Sequence, residues 1–224
     1  MKTNKLIIVG DSAFAEIAHE YFDADSTYQV VGFAVERAFL KQDHFHGLPV
    51  VAFEDIKTYF NPKTHYIYVA IVYTQLNRLR TRLASEAKAM GYNLASYVSS
   101  RAFVWRNVQL GEHCFIFEGN TLQPFVKIED NVVLWSGNHI GHHSTIRNNC
   151  FIASHAVVSG FCNIGENSFV GVNVTLSNNI AIGDDNWIGP NVTIMKDTCD
   201  GALFTSHHPE PARISALRFF KIKK

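Results

Sequence analysis

The sequence predicts an α/β domain over residues 1–100 joined to a parallel β-helix over residues 101–199, with a tail of residues 200–224. Three observations predict it. An apolar side chain recurs at every sixth position from Val104 to Ile194. Before residue 100, short apolar runs alternate with segments of helical period. The composition, 47% hydrophobic and 18% charged, is that of a chain able to bury a core in each part.

The first part is read from its punctuation. Leu6 to Val9 is a short buried strand, closed by Gly10. Ser12 is placed to cap a helix from Ala13 to Phe22. Tyr28 to Val35 and Tyr66 to Val72 read as two further strands, and Leu76 to Met90 as a helix stopped by Gly91. Alternation of strand and helix implies a small parallel sheet with helices on its faces. The turn Gly10-Asp11-Ser12-Ala13-Phe14-Ala15 is a reduced form of a dinucleotide fingerprint, with Ser12 and Ala15 where two of the glycines would stand. Such a turn aims backbone N–H groups and a helix N-terminus at a phosphate. Gly10, Asp11, Ser12 and Ala13 are therefore nucleotide-binding candidates, and Glu36 is placed to accept hydrogen bonds from ribose hydroxyls. A strand–helix turn with no ligand is the alternative.

The second part is decided by the repeat. Val104, Leu110, Ile116, Leu122, Ile128 and Leu134 begin a series of sixteen hexads that runs unbroken to Ile194. Gly follows the apolar residue in many of them (Gly111, Gly141, Gly165, Gly171, Gly183, Gly189), and the fifth position is mostly small or β-branched. Six residues fit neither a helix of 3.6 residues per turn nor a long alternating strand. They fit a short strand and a tight corner, three of which close a triangular coil, stacked at about 4.8 Å per coil. This arithmetic places Cys114 and Cys150 at one inner corner and Cys162 at another, as core packing rather than a disulfide. Trp135 and Trp187 face outward, for contacts between subunits or for local packing.

Several function classes are excluded by composition. Twenty basic residues balance twenty acidic ones, so there is no broad field for nucleic acid or anionic lipid. The run Leu6–Val9 is far too short to span or enter a bilayer, and no C-x-x-C pair appears among the four cysteines. A cytoplasmic protein with reduced thiols is expected, and the basic residues Lys221, Lys223 and Lys224 read as a solvated terminus.

A half-Rossmann domain followed by a hexapeptide β-helix resembles the NeuD/PglD-like sugar acyltransferases over nearly the whole chain. The local match is Ile140-Gly141-His142-His143-Ser144-Thr145-Ile146, continuing through Val158-Ser159-Gly160 to Ile164-Gly165. The resemblance implies a left-handed β-helix, acetyl-CoA as co-substrate, no metal, and a homotrimer with active sites in the grooves between subunits. It implies His142 as general base and Gly160 as oxyanion donor. His143 stands where the family usually carries an acidic partner for the base, and Phe151 where a second histidine near the cofactor is often found. His143, His139 and Asn138 are the candidates to orient the base or hold the substrate. Phe151, Gly160, Gly171, Gly189 and Pro190 are the candidates for the acetyl-CoA site. His207 and His208 follow the last repeat, and Pro209-Glu210-Pro211-Ala212-Arg213 resembles the family's closing segment, with Arg213 either near a CoA phosphate or solvated.

The chemistry fits these residue types. Acyl transfer from a thioester to an amine needs a base and donors for the tetrahedral oxyanion, and a histidine side chain suits proton transfer near neutral pH. The expected reaction is N-acetylation of a nucleotide-linked 4-amino-4,6-dideoxy sugar for surface glycan synthesis. O-acetylation of a sugar hydroxyl, as on sialic acid, is the alternative. A metal enzyme of the γ-carbonic-anhydrase type would need three converging histidines; His113, His143 and His155 fall on three different corners of one chain, which leaves only a site shared between subunits for that class. A non-enzymatic scaffold is the remaining class.

Overall fold

The structure, a computed structural model, describes residues 2–206 and 210–222. Its first part comprises β1 (Asn4–Val9), α1 (Ala13–Ala24), β2 (Tyr28–Val35), a hairpin of β3 (His44–Phe45) and β4 (Leu48–Ala52), α2 (Ile56–Tyr59), β5 (His65–Val69), α3 (Arg78–Ala89) and β6 (Asn93–Leu94). The sheet order is β3-β4-β2-β1-β5-β6, parallel except at the β3–β4 hairpin. Ser12 occupies the N-cap of α1, although its hydroxyl makes no cap bond. The β3–β4 hairpin, α2 and β6 are additions to the sequence reading, and the bounds of β5 and α3 shift for identifiable reasons. β5 ends before Ile71 and Val72 because their carbonyls turn to accept from Arg80. α3 starts late because Gln75, Leu76 and Asn77 all take left-handed φ values of 49–66°.

The second part is a left-handed β-helix. Two-residue strands run from Tyr97–Val98 to Leu203–Phe204, pairing in parallel with the strand eighteen residues away, as Phe115 with Val133 and Thr121 with His139, until the last pair, Trp187 with Leu203, which is sixteen apart. Three sheets result, one per face of the triangle. The sixth-residue aliphatics point inward and form one continuous core. Leu110 departs from the rule; at the open first end it is 39% exposed because no coil lies beneath it. Corners repeat too. From His113 to Asn191 the fourth position of each hexad takes a left-handed φ, and it is usually Asn, Asp, His or Gly, residues that tolerate it. Cys114, Cys150 and Cys162 are buried free thiols at the small corner positions, and burial pushes Cys114 and Cys150 up to about 12.

The two parts share a core. The outward side chains of the first face, Phe115, Val133, Phe151 and Phe169, are buried in one cluster with the α/β part, Phe115 against Phe14, Phe22 and Tyr68, and Phe151 and Phe169 against Tyr73. Trp135 stacks on Phe117, and Trp187 stacks on Phe169 at 4.0 Å and meets Tyr73. Both tryptophans thus pack locally against the α/β part. Arg80 bolts the junction. Its fully buried guanidinium donates to Asn131 Oδ1 and to the carbonyls of Val72, Asn131, Asn149 and Cys150 at 3.1–3.3 Å. His113, also buried, accepts from the Val69 N–H at 2.8 Å and bonds Asn131 through Nδ1 at 2.7 Å.

Candidate active site

The corner between the second and third faces carries the histidines. His139 and Ile140 form the last strand of that coil's second face, and residues 141–144 turn the chain toward Thr145–Ile146 on the third. The inward pull on Ile140 and Ile146 leaves the middle of the turn outside, so His142 and His143 are exposed. One coil later the same corner is Ser159-Gly160-Phe161-Cys162. A Cβ on Gly160 would lie 2.8 Å from Cε1 and 2.9 Å from Nε2 of His142, so the imidazole occupies the space a side chain would need. Phe161 N–H donates to the His142 carbonyl at 2.9 Å, and the His142 N–H donates to Gln123 Oε1 at 2.9 Å. The Gly160 N–H makes no hydrogen bond among the described residues. A base and an unengaged donor thus share one exposed corner.

His143 joins them. Its Nδ1 lies 3.1 Å from the Nδ1 of His142. Its ring is stacked between Phe125, at 4.6 Å, and Phe161, at 4.7 Å. Neither phenylalanine figured among the sequence-based site residues, yet their spacing of eighteen to either side of His143 put both on its stack. His139 lies on the adjacent strand, in register with Thr121 and Val157.

The structure separates the other candidates from this corner. Asn138 is a fully buried corner residue whose amide donates to Trp135 O and accepts from Ala156 N–H, so it cannot orient His142. Phe151 is 3% exposed in the junction core, stacked between Trp135 and Phe169, and is closed to any cofactor. Gly171, Gly189 and Pro190 lie on the corner between the first and second faces, away from His142 within one protomer. A Cβ on Gly171 would meet Gly189 C and Pro190 N at 2.8 Å, so close coil stacking accounts for the glycine. Arg213 is exposed, and His207, His208 and Pro209 lie outside the described residues. His113 is engaged in the junction, and no three His, Cys, Asp or Glu side chains converge as a metal ion requires among the described residues.

A second concavity lies in the α/β part. Gly10, Asp11 and Ser12 at the end of β1, Glu36 after β2, and Phe39, Lys41, Ile71 and Leu79 line a cleft of about 330 Å³. It opens beside the point where the chain leaves β1 for β2 on one side and β5 on the other, at the strand ends where open α/β sheets take ligands. Gly10 has φ +123° and its Cβ would stand 3.1 Å from Ala70 O, so only glycine suits the turn. One Glu36 oxygen is held by Arg82 at 2.9 Å. Ala13, the exposed first residue of α1, does not line the cleft.

Residues 125–160 match the family described as bacterial transferase hexapeptide (six repeats). No curated protein matches the sequence. Among solved structures, the acetyltransferase domain of PglB from Neisseria gonorrhoeae superposes with a TM-score of 0.81 at 21% identity, covering 93% of this chain and 100% of that one. PerB from Caulobacter crescentus, in complex with CoA and GDP-perosamine, gives 0.80 at 22%, covering 91% and 94%. WeeI from Acinetobacter baumannii gives 0.69 at 17%, covering 90% and 96%. From the half-Rossmann sheet through the last coil, the chain has the fold of hexapeptide-repeat sugar acetyltransferases.

Proposed function

We propose that the protein is an acetyl-CoA-dependent N-acetyltransferase that acylates the amine of a nucleotide-linked 4-amino-4,6-dideoxy sugar. The carrying observation is the His142 imidazole packed on Gly160, whose N–H is unengaged among the described residues. His142 accepts the amine proton as nitrogen attacks the thioester carbonyl, and the Gly160 N–H meets the developing oxyanion. The thioester supplies its own leaving group, so no acyl-enzyme is needed. In keeping with this, the Cys162 thiol near the corner is buried and donates to Ser177 O. The Gly10–Ser12 turn and Glu36 hold the nucleotide. PerB and PglB, which share the fold, have been captured with CoA and GDP-perosamine and with acetyl coenzyme A.

The working form is a cytoplasmic homotrimer supplying a surface polysaccharide. Supporting the assembly, Phe103, Trp105, Phe125, Val157 and Phe161 stand 40–59% exposed on the second face and its corner, an apolar patch that a second copy would cover. No helix among the described residues is long and apolar enough to cross a membrane. The test is thiol release from acetyl-CoA across UDP-, dTDP- and GDP-linked amino sugars, with the product's new amide identified by NMR. Absence of turnover with every amino sugar refutes the proposal, and an ester product redirects it to a hydroxyl.

A further inference from the structure

From the His142–His143 contact and the two rings around it, we infer that His143 is the positioning residue and temporary proton holder for His142, with Phe125 and Phe161 stabilising the charge it takes up. This rests on the acetyl-transfer reading above.

The geometry restricts the protons. At 3.1 Å, one Nδ1 carries hydrogen and the other offers its lone pair. With the hydrogen on His142 Nδ1, the Nε2 lone pair of His142 is free to accept a proton from substrate. His143 then carries its own hydrogen on Nε2. Hydrogens on both Nδ1 atoms would place N–H against N–H, so the contact needs one Nδ1 without hydrogen. Gln123, Gly160, Phe125 and Phe161 are the groups packed or bonded around the two rings, and no carboxylate, ammonium or guanidinium bonds either ring among the described residues.

The phenylalanines supply what a carboxylate would. Phe125 and Phe161 lie near-parallel to the His143 ring, at interplanar angles of 26° and 14°. An aromatic face attracts a cation through its ring quadrupole, and here there are two. Both phenylalanines hold left-handed φ values, 66° and 59°, at the corner position where the other coils use Asn, Asp, His or Gly. A side chain of this kind is strained there, with its Cβ crowding the following carbonyl oxygen. The strain brackets His143 on both sides, and core packing does not account for it, since both rings are more than half exposed.

The proton path closes. The amine nitrogen forms its bond to the carbonyl carbon, the C=O pair moves onto oxygen beside the Gly160 N–H, and the nitrogen proton passes to His142 Nε2. The proton on His142 Nδ1 shifts toward His143 Nδ1, placing the charge between the phenyl faces. As the C–S bond breaks, the thiolate takes the Nε2 proton and His143 returns its own.

The experiment uses the full chain with His143→Phe, His143→Glu and the double variant Phe125→Asn/Phe161→Asn. His143→Phe keeps the stack without the nitrogen, and should leave KM within about twofold while kcat falls roughly 10- to 100-fold. His143→Glu should recover turnover relative to His143→Phe and move the acid limb of kcat/KM to higher pH, because a carboxylate favours the imidazolium. The Asn pair also removes two residues of the apolar patch, so its kcat is read on enzyme that light scattering shows to keep the wild-type assembly, where kcat should fall. Wild-type turnover in His143→Phe, or an unmoved pH profile in His143→Glu, overturns the inference. If the wild type turns over no amino sugar, the acetyl-transfer reading is what has failed. Imidazole ¹⁵N NMR then decides the pair: coupled titration of the two rings supports it, and independent single-step titrations overturn it.

Discussion

The imidazole of His142 rests against the α-carbon of Gly160, one coil further along the same corner, with its Cε1 only 2.8 Å from where a Cβ would be. A methyl group there must push the ring aside, because the coil beneath is held by the Phe161–His142 backbone bond. Gly160→Ala should therefore lower kcat by about 100-fold, the scale of a misplaced catalytic group. His142→Ala should lower it by roughly 10² to 10⁴. Both variants should melt within a few degrees of the wild type, since the corner is exposed. Steady-state kinetics beside thermal melts check this; a collapse in stability would move the effect from chemistry to folding.

Glu36 offers a different signature. Arg82 holds one of its oxygens, which fixes the carboxylate beside the cleft, and the other oxygen makes no hydrogen bond among the described residues; the proposed function gives that oxygen a ligand hydroxyl. Loss of a hydrogen bond to a charged group is worth about 1.5–3 kcal/mol. Glu36→Gln should raise KM for the nucleotide sugar by at least about tenfold and leave kcat and the KM for acetyl-CoA unchanged. A fall in kcat with KM constant would place Glu36 elsewhere in the reaction.

The junction predicts an acid limit on stability. Burial, with a smaller push from Arg80, lowers the His113 imidazole to about 3 against the opposing bond to Asn131. The unfolded chain takes a proton on this residue near pH 6.5 that the folded chain refuses until about pH 3. Between those values the unfolded state binds more protons, so stability is full above about pH 6.5 and falls as pH drops toward 3. His113→Gln keeps an acceptor for the Val69 N–H but cannot titrate. It should be less stable than wild type at pH 8, yet lose less stability between pH 6.5 and 5, above most carboxylate titrations. Denaturant melts at these pH values read the slopes; equal slopes would remove His113 as the cause.

How much of this was legible depends on what repeats. Ile140 and Ile146 see the same environment as their counterparts in every coil, so the hexad fixes which side chains turn inward, and an offset of eighteen brings Gly160 onto His142. The hexad does not say which outward face another domain covers, so it offers Phe151 as a cofactor contact and leaves Trp135 and Trp187 between subunit contact and local packing. A signal was present: outward residues of the first face, Phe115, Val133, Phe151, Phe169 and Trp187, are all large and apolar, while Lys127, Thr145 and Asn163 occupy the third. The His142–His143 contact was hidden because sequence neighbours usually diverge. The left-handed φ of 60° at His143 turns its ring back to its neighbour.

Arg80 carries the last prediction. Burial lowers its guanidinium to about 10, which leaves it charged at neutral pH, and no carboxylate bonds it among the described residues. Carbonyl and amide oxygens from the Ile71–Asn77 turn and from two β-helix coils satisfy it instead, so one side chain ties strand, helix and corner together. Arg80→Met fills similar volume but strands those acceptors in a closed junction, at a cost of about 1–3 kcal/mol for each one left unmet. Arg80→Lys should recover little, because an ammonium cannot reproduce the planar fork that spans Asn131 and Asn149. Both variants should lower the melting temperature, and hydrogen exchange should show the loss first at the amides of β5 and α3, with the central coils protected. Equal loss of protection along the whole β-helix would mean that the two parts unfold as one unit and that Arg80 is not the joint between them.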